Sequence, residues 1–264
     1  MLALRHFHYG YAGLLLLVLF ATFFLSSRKS LLATQGVTVK EAMLRAERLN
    51  SSEMYKDSLN LLLGIAAEQP EDNSLKELLK KTFVLHIQYQ ILDGYKKIET
   101  NSHDEDAYLE VSNAYDMIQD QFRSMEILTN GVIENPKSVK LWLAVGMLEM
   151  QRKHDAEALS VFREVLRLDN TSAHAYNDIA FLHSRSEDKR LLDLKSALGF
   201  AEKAVSLDPK NANFLDTLAE ITFRLGNKKE AVNLIKRAIS LDPEEPFYQS
   251  QLSRFEAELP RVAK

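Results

Sequence analysis

Two hydrophobic patterns divide the chain. The first is the run YGYAGLLLLVLFATFFL, which starts at Tyr9 and contains no charged side chain. From residue 38 onward, apolar positions are instead spaced three or four residues apart and separated by polar ones. That spacing places the apolar side chains on one face of a helix, so it is typical of amphipathic helices. The pattern predicts an all-α chain that begins with one very apolar helix.

The apolar run is close to the roughly 20 residues that a helix needs to cross a bilayer. Tyr9 and Tyr11 lie near one end and Arg28 and Lys29 at the other, where aromatic and cationic side chains favour lipid headgroups. We expect residues 9–27 to form a transmembrane helix, with 1–8 as a flank and 28–37 as a linker. A cleaved signal peptide is the alternative. The flanking charges leave open which side of the membrane the rest of the chain occupies.

Internal repeats are the strongest pattern in the remaining sequence. The segment AVSLDP ends at Pro209, AISLDP ends at Pro243, and VLRLDN ends at Asn170. The first two copies are 34 residues apart, and each follows two amphipathic segments. A period of this length predicts stacked helix pairs, because one pair cannot bury its apolar face alone.

The repeat resembles the tetratricopeptide repeat family. In the last unit, the family's positions are occupied by Leu215 and Ala219 in the first helix, Gly226 in the turn, Ala231 in the second helix and Pro243 at the end. The resemblance implies an α-solenoid of helix pairs over residues 38–264 with a C-terminal capping helix. The expected units are 39–70, 71–104, 105–138, 139–172, 173–211 and 212–245, followed by a cap at 246–259.

Several packing expectations follow from this register. Small residues such as Gly146, Ala180 and Ala219 should let helices approach closely, and Trp142 should be buried between helices. The unit 71–104 is expected to be a helix pair with Tyr95 in its second helix, and it fits the pattern only after a shift of one residue. The fifth unit is five residues longer than 34, and its extra segment at 184–193 is expected to form a loop.

The composition argues against catalysis and nucleic-acid binding. The chain has no Cys and a formal charge of −4, whereas a nucleic-acid protein needs a positive surface. His174 and His183 are nine residues apart on one predicted helix and therefore point to opposite faces. No phosphate loop, nucleophile elbow or zinc motif is present. We therefore expect neither an enzyme nor a bound cofactor or metal.

In the family, the first helices line a concave face that commonly holds an extended peptide or a partner helix. We expect this groove to bind protein here, which makes the chain a membrane-anchored adaptor or assembly factor, most simply in a bacterial inner membrane. A scaffold that self-associates on the membrane is the alternative. By register, the predicted groove residues are Asn113, Lys140, Leu143, Met147, Met150, His174, Asn177, Phe181, Asp216, Glu220 and Phe223.

Overall fold

The computed structural model describes residues 38–67, 69 and 71–258, and twelve helices lie in these ranges. The chain divides at Ile127 and Leu128 into two compact units, which are described separately. The helices are α1 Val39–Ser51, α2 Tyr55–Ala66, α3 Asn73–Thr100, α4 Glu105–Met117, α5 Gln121–Glu134, α6 Val139–Gln151, α7 Asp155–Leu168, α8 Ala173–Arg185, α9 Leu194–Leu207, α10 Ala212–Arg224, α11 Lys228–Leu241 and α12 Pro246–Ala257.

The first helix of every pair begins with a polar side chain that accepts a hydrogen bond from a backbone N–H of the first turn. Such a cap satisfies a donor that the helix itself leaves unpaired. Thr38 and Glu41 form a complete capping box at the start of α1. The capping residues are Thr38, Asp104, Ser138, Ser172 and Asn211.

Four pairs share one turn geometry. In the turn after α6, the N–H of His154 donates to the carbonyl of Glu149 at 2.9 Å, and Lys153 has φ +61°. The same left-handed position is held after α1 by Glu53 with φ +60°, after α4 by Gln119 with φ +62°, and after α10 by Gly226 with φ +90°. This is the Schellman type of helix end, for which Gly is the least strained residue. The recurrence supports the repeat directly from backbone geometry.

The prediction of a helix pair at 71–104 is wrong, because α3 runs without interruption from Asn73 to Thr100. Where the neighbouring pairs turn, α3 carries the segment Leu85-His86-Ile87, and Ile87 is buried. The residues that hold the turn position in the other pairs are exposed, whereas the uninterrupted helix keeps Ile87 in the core. The two halves of α3 bury different sides, the first through Leu75 and Leu79 and the second through Ile87 and Gly94. The long helix therefore has no single apolar face.

Each unit has its own core. In the unit that ends at Ile127, Ala42, Ala46, Leu62, Ile65 and Leu75 join α1, α2 and α3. The unit that starts at Leu128 has one cluster around Phe162 and Ile179 and a second around Leu215, Ile235 and Phe255. The second cluster includes α12, which packs against α11 as the expected capping helix does.

Trp142 is only partly buried, so the prediction that it lies buried between helices is wrong. Its indole lies partly exposed against the cluster around Phe162, and its Nε1 donates to the carbonyl of Pro136 at 3.0 Å. The residue lies in the first turn of α6, where its N–H can reach the loop before the helix. An indole N–H needs such a partner, so the ring stays at the edge of the core.

The predicted membrane helix at 9–27 lies outside the described residues. Among the helices that are described, none combines the length and apolar character needed to span a bilayer. The extra segment of the fifth unit is a loop, as expected, between the end of α8 at Arg185 and Asp193, which caps α9.

Candidate protein-binding groove

The first helices of the unit that starts at Leu128 bring most of the predicted groove residues together. The ring of His174 on α8 meets Phe214 on α10 edge-on, with the centroids 5.2 Å apart. Farther along the same helices, Arg185 Nη2 lies 3.8 Å from Glu220 Oε1. On α6, Met150 shares a pocket with Phe181 of α8. The face therefore combines side chains from three helices that are separate in sequence.

The centre of this face is apolar and partly open. Leu143, Met147 and Met150 are half-buried and pack against the cluster around Phe162. Phe181 keeps 36% of its surface exposed. These side chains can contact an apolar group of a partner, and the unbranched thioethers can adapt to its shape.

A pocket of about 110 Å³ opens at one edge of the apolar centre. The guanidinium carbon of Arg185 lies 5.4 Å from the centroid of the Phe181 ring, so a cation stands beside the exposed aromatic surface. The pocket is lined by Met150, Lys153, Asp155, Phe181, Leu182, Arg185, Ser186 and Glu187.

Asn177 is the buried polar residue of the groove. It is 5% exposed, and its Nδ2 donates to Asp178 Oδ1 at 3.3 Å. Its Oδ1 has no hydrogen-bond partner among the described residues. A buried acceptor without a donor costs about 1 to 3 kcal/mol. The Oδ1 atom is itself shielded from solvent, so a bound molecule can reach it only after the Asn177 side chain moves.

The C-terminal end of the predicted groove is occupied by the protein's own helix α12. Tyr248 donates its hydroxyl proton to Asn213 Oδ1 at 2.8 Å, and Gln251 Nε2 donates to Asp216 Oδ1 at 3.5 Å. Arg254 forms an ion pair with Glu220. Three pairs of side chains therefore join α10 to α12.

Glu220 and Phe223 are consequently buried, at 8% and 7% exposure. The Phe223 ring stacks on Phe255 of α12 with centroids 4.3 Å apart. The repeat register predicts that both residues line an open groove, but in this structure they hold the cap. The reason is that α12 occupies the place that the first helix of a further unit would take.

Burial raises the pKa of Asp216 to about 6. Nearby Glu220 raises it further, while Arg185, Gln251 and Arg254 favour the charged form and oppose the shift. This carboxyl contacts the cap through Gln251, so its charge changes at about pH 6 at the junction of α10 and α12.

The other predicted residues are more exposed. Lys140 and His174 lie at the surface of α6 and α8. Asn113 is exposed on α4, which belongs to the unit ending at Ile127. Among the residues described, no three His, Asp or Glu side chains are grouped as metal ligands.

Sequence reasoning missed Arg185 and the contacts of the inserted loop. Lys153 Nζ and Glu187 Oε1 are 2.7 Å apart, and Ser186 donates its hydroxyl proton to Asp155 Oδ2 at 2.5 Å. These contacts fix the loop against the preceding turn and build the pocket wall. The available signal was the separation of Lys153 and Glu187 by 34 residues, one repeat period, with opposite charges.

Comparison with known proteins finds one family profile that matches part of the chain and several solved structures with a similar fold. The sequence profile described as tetratricopeptide repeat matches residues 212–245. No curated protein sequence matches the chain.

Among solved structures, the chain resembles one in the APC/C hetero-tetramer Cut9–Hcn1, with 14% identity and a TM-score of 0.58 over 90% of this chain and 46% of that one. TTC0263, a thermophilic TPR protein in Thermus thermophilus, gives 13% identity and a TM-score of 0.51 over 83% and 98%. MamA from Desulfovibrio magneticus RS-1 gives 18% identity and a TM-score of 0.48 over 58% of this chain and 84% of that one. At these identities the likeness concerns the fold alone. The chain thus carries a tetratricopeptide repeat at residues 212–245 within an all-α fold of helix pairs typical of that family.

Proposed function

We propose that this protein is a membrane-anchored adaptor that binds a segment of a partner protein on the face formed by α6, α8 and α10. The observation that carries the proposal is the partly exposed Phe181 beside the pocket that it shares with Met150. Helix-pair folds of this kind present extended binding surfaces rather than catalytic centres. We accordingly propose no enzymatic activity.

The chemistry of the face indicates what the partner segment offers. An apolar side chain fits the pocket, because Met150, Phe181 and Leu182 form part of its wall. The cation of Arg185 beside Phe181 favours a polar acceptor or a carboxylate next to the apolar anchor.

The membrane anchor in this proposal is the uncharged segment within residues 9–27, and the proposed setting is a bacterial inner membrane. The support for the anchor is the sequence alone, since a run of this length and composition suits a bilayer. The support for a bacterial setting is that the segments YNDIAFLH and FLDTLAEITFRLG resemble bacterial versions of the repeat. Alkaline carbonate extraction tests the anchor. The full chain should stay in the membrane pellet, whereas a chain that begins at residue 38 should be released. Release of both would contradict anchoring.

The binding face is tested by photo-crosslinking in native membranes. A photoreactive amino acid replaces Phe181, because this side chain is exposed whereas the neighbouring Asn177 is not. The matched control carries the same probe at Ser160, which is exposed on α7. We expect adducts with one or a few different proteins from position 181 and none of these from position 160. Adducts only with other copies of this chain would instead indicate a self-assembling scaffold.

A pair of variants separates binding from folding. Phe181→Ala should lower recovery of the crosslinked partner about tenfold when the probe is moved to position 147, since one anchor contact is worth about 1 to 2 kcal/mol. Phe247→Ala removes a phenylalanine of nearly equal exposure, 37%, from α12 and should leave recovery unchanged. Equal recovery with both variants would refute the role of Phe181.

A further inference from the structure

The long helix α3 carries a seam that its own unit leaves largely exposed. The seam is defined by six positions whose spacing alternates between four and three residues, which is the heptad spacing of two helices packed side by side. Leu92 is 57% exposed and Tyr95 40%, while Leu85 is half-buried. The seam residues are Lys81, Leu85, Gln88, Leu92, Tyr95 and Glu99.

The packing of α3 against its neighbours explains why the seam stays largely exposed. The first half of the helix buries Leu78 and Leu79 towards the core shared with α1 and α2. The second half buries Ile87 and Gly94, and a Cβ added to Gly94 would lie 2.2 Å from Val111 Cγ2 of α4. Most contacts with both neighbours therefore use sides of the helix other than the seam. The exception is Tyr95, whose hydroxyl lies 3.4 Å from the Tyr115 hydroxyl of α4 while 40% of its surface stays exposed. An exposed apolar strip of this kind on a folded protein marks an interaction surface.

The two ends of the seam carry opposite charges. Lys81 and Glu99 are 18 residues apart in the sequence, which corresponds to about 27 Å along the helix. Neither forms an ion pair with another described residue, whereas the adjacent Lys80 pairs with Glu77, and Lys97 pairs with Asp93 and Glu110. A partner that matches the seam must therefore present an acid at one end and a base at the other.

We propose that the partner is a second copy of this chain, with the two α3 helices packed antiparallel about a two-fold axis near residue 90. In this arrangement, Lys81 faces Glu99 of the second copy, and Glu99 faces its Lys81. Leu85 faces Tyr95 of the second copy, and Gln88 faces its Leu92. Such a pairing is isologous, because both copies use the same surface.

Charge decides the direction of the pairing. A parallel pair would place Lys81 against Lys81 and Glu99 against Glu99, and like charges in contact repel. The antiparallel pair converts both contacts into attractions. The apolar part of the seam is short compared with interfaces that bury about 800 Å² on each partner. The dimer is therefore weak, with dissociation in the micromolar range.

Cysteine crosslinking of the full chain in its membranes tests the arrangement, and the chain offers a clean background because it has no Cys. Two differently tagged copies carry Leu85→Cys and Tyr95→Cys. Antiparallel pairing brings these two positions within disulfide distance. It keeps two copies of the same variant apart, since position 85 of one copy is about 15 Å along the axis from position 85 of the other. We expect mixed-tag disulfides only, and Ser74→Cys on the same helix as the control without crosslinks.

Charge exchange supplies a second, independent readout. Lys81→Glu and Glu99→Lys should each raise the dissociation constant about tenfold or more, because two attractions become two repulsions. A mixture of the two single variants should associate as tightly as the wild type, since every facing pair is again opposite in charge. Circular dichroism should show equal helix content for all variants.

Three results would overturn the proposal. Same-variant disulfides at position 85 would show parallel pairing, an unchanged dissociation constant after the single exchanges would remove the role of the charges, and crosslinks only to a different protein would make the seam a site for another partner. The proposal does not depend on the groove, so Phe181→Ala should leave this self-association unchanged.

Discussion

Close packing between α6 and α7 gives a sharp test of the structure. A Cβ built on Gly146 would lie 2.5 Å from Phe162 Cε1, 2.8 Å from its Cζ and 3.0 Å from its Cδ1. Real Cβ atoms essentially never come so near a carbon atom. The Phe162 ring is fully buried and cannot move into solvent. Gly146→Ala should therefore force the two helices apart.

The magnitude follows from two opposing effects. Ala is about 1 kcal/mol better than Gly inside a helix. Overpacking a core by one carbon typically costs about 1 to 3 kcal/mol. Gly199 on α9 provides the matched control, because a Cβ there would meet nothing within 4 Å. The helix gain is common to both variants, so Gly146→Ala should be less stable than Gly199→Ala by about 1 to 3 kcal/mol.

The assay is urea unfolding followed by tryptophan fluorescence. Trp142 is the only tryptophan and lies on α6 one turn from Gly146, so the signal reports on this part of the chain. In a Phe162→Leu background the clashing ring atoms are absent, and Gly146→Ala should then stabilise as much as Gly199→Ala does. Equal stabilisation by the two alanines in the wild-type background would refute the packing described here.

Three further predictions concern the turns, the buried carboxyl and the indole. Gln119→Gly should raise the free energy of unfolding by about 1 kcal/mol, because φ is +62° at this position. Gly226→Gln should lower it by a similar amount. Unfolding midpoints equal to that of the wild type for both variants would contradict the turn geometry. The raised pKa of Asp216, about 6 against 3.8, means that folding favours its protonated form. Its contribution to stability is therefore full below about pH 4 and falls by up to about 3 kcal/mol as pH rises to about 6 and above. Asp216→Asn should flatten this fall in unfolding measured at about pH 4.5 and about pH 7.5, and an identical pH dependence would refute it. Trp142→Phe should lose about 1 kcal/mol with the hydrogen bond to Pro136, measured by thermal unfolding, and no loss would show that the bond contributes nothing.

The all-α fold of helix pairs was predictable because each pair carries its own local signals. Capping residues such as Ser138 and Ser172 mark where helices begin, and the recurring AVSLDP type of segment marks where second helices end. Continuity of α3 was not predictable in the same way. The left-handed turn position is held by Glu53, Gln119 and Lys153 as well as by Gly226, so the absence of glycine near His86 carried no information.

The groove was predictable in outline and not in detail. Register alone places Met150, Asn177 and Phe181 on one face, because each follows from helical spacing. Whether a side chain on that face is open depends on what packs next to it along the stack. Glu220 and Phe223 are covered because Arg254 and Phe255 of α12 reach them. Contacts of this kind join residues about one repeat apart, and a single sequence does not show which of them are made.

The uninterrupted α3 also has a mechanical consequence. Its 28 residues form a rod about 42 Å long. One half is packed against α1 and α2 and the other half against α4, so neither end can tilt without moving the other. A change of about 5° in the direction of the rod at its first turn displaces its last turn by about 4 Å. The missing turn thus makes α3 a lever arm that transmits displacement between the first helix pair and α4, where a hinged pair would absorb it.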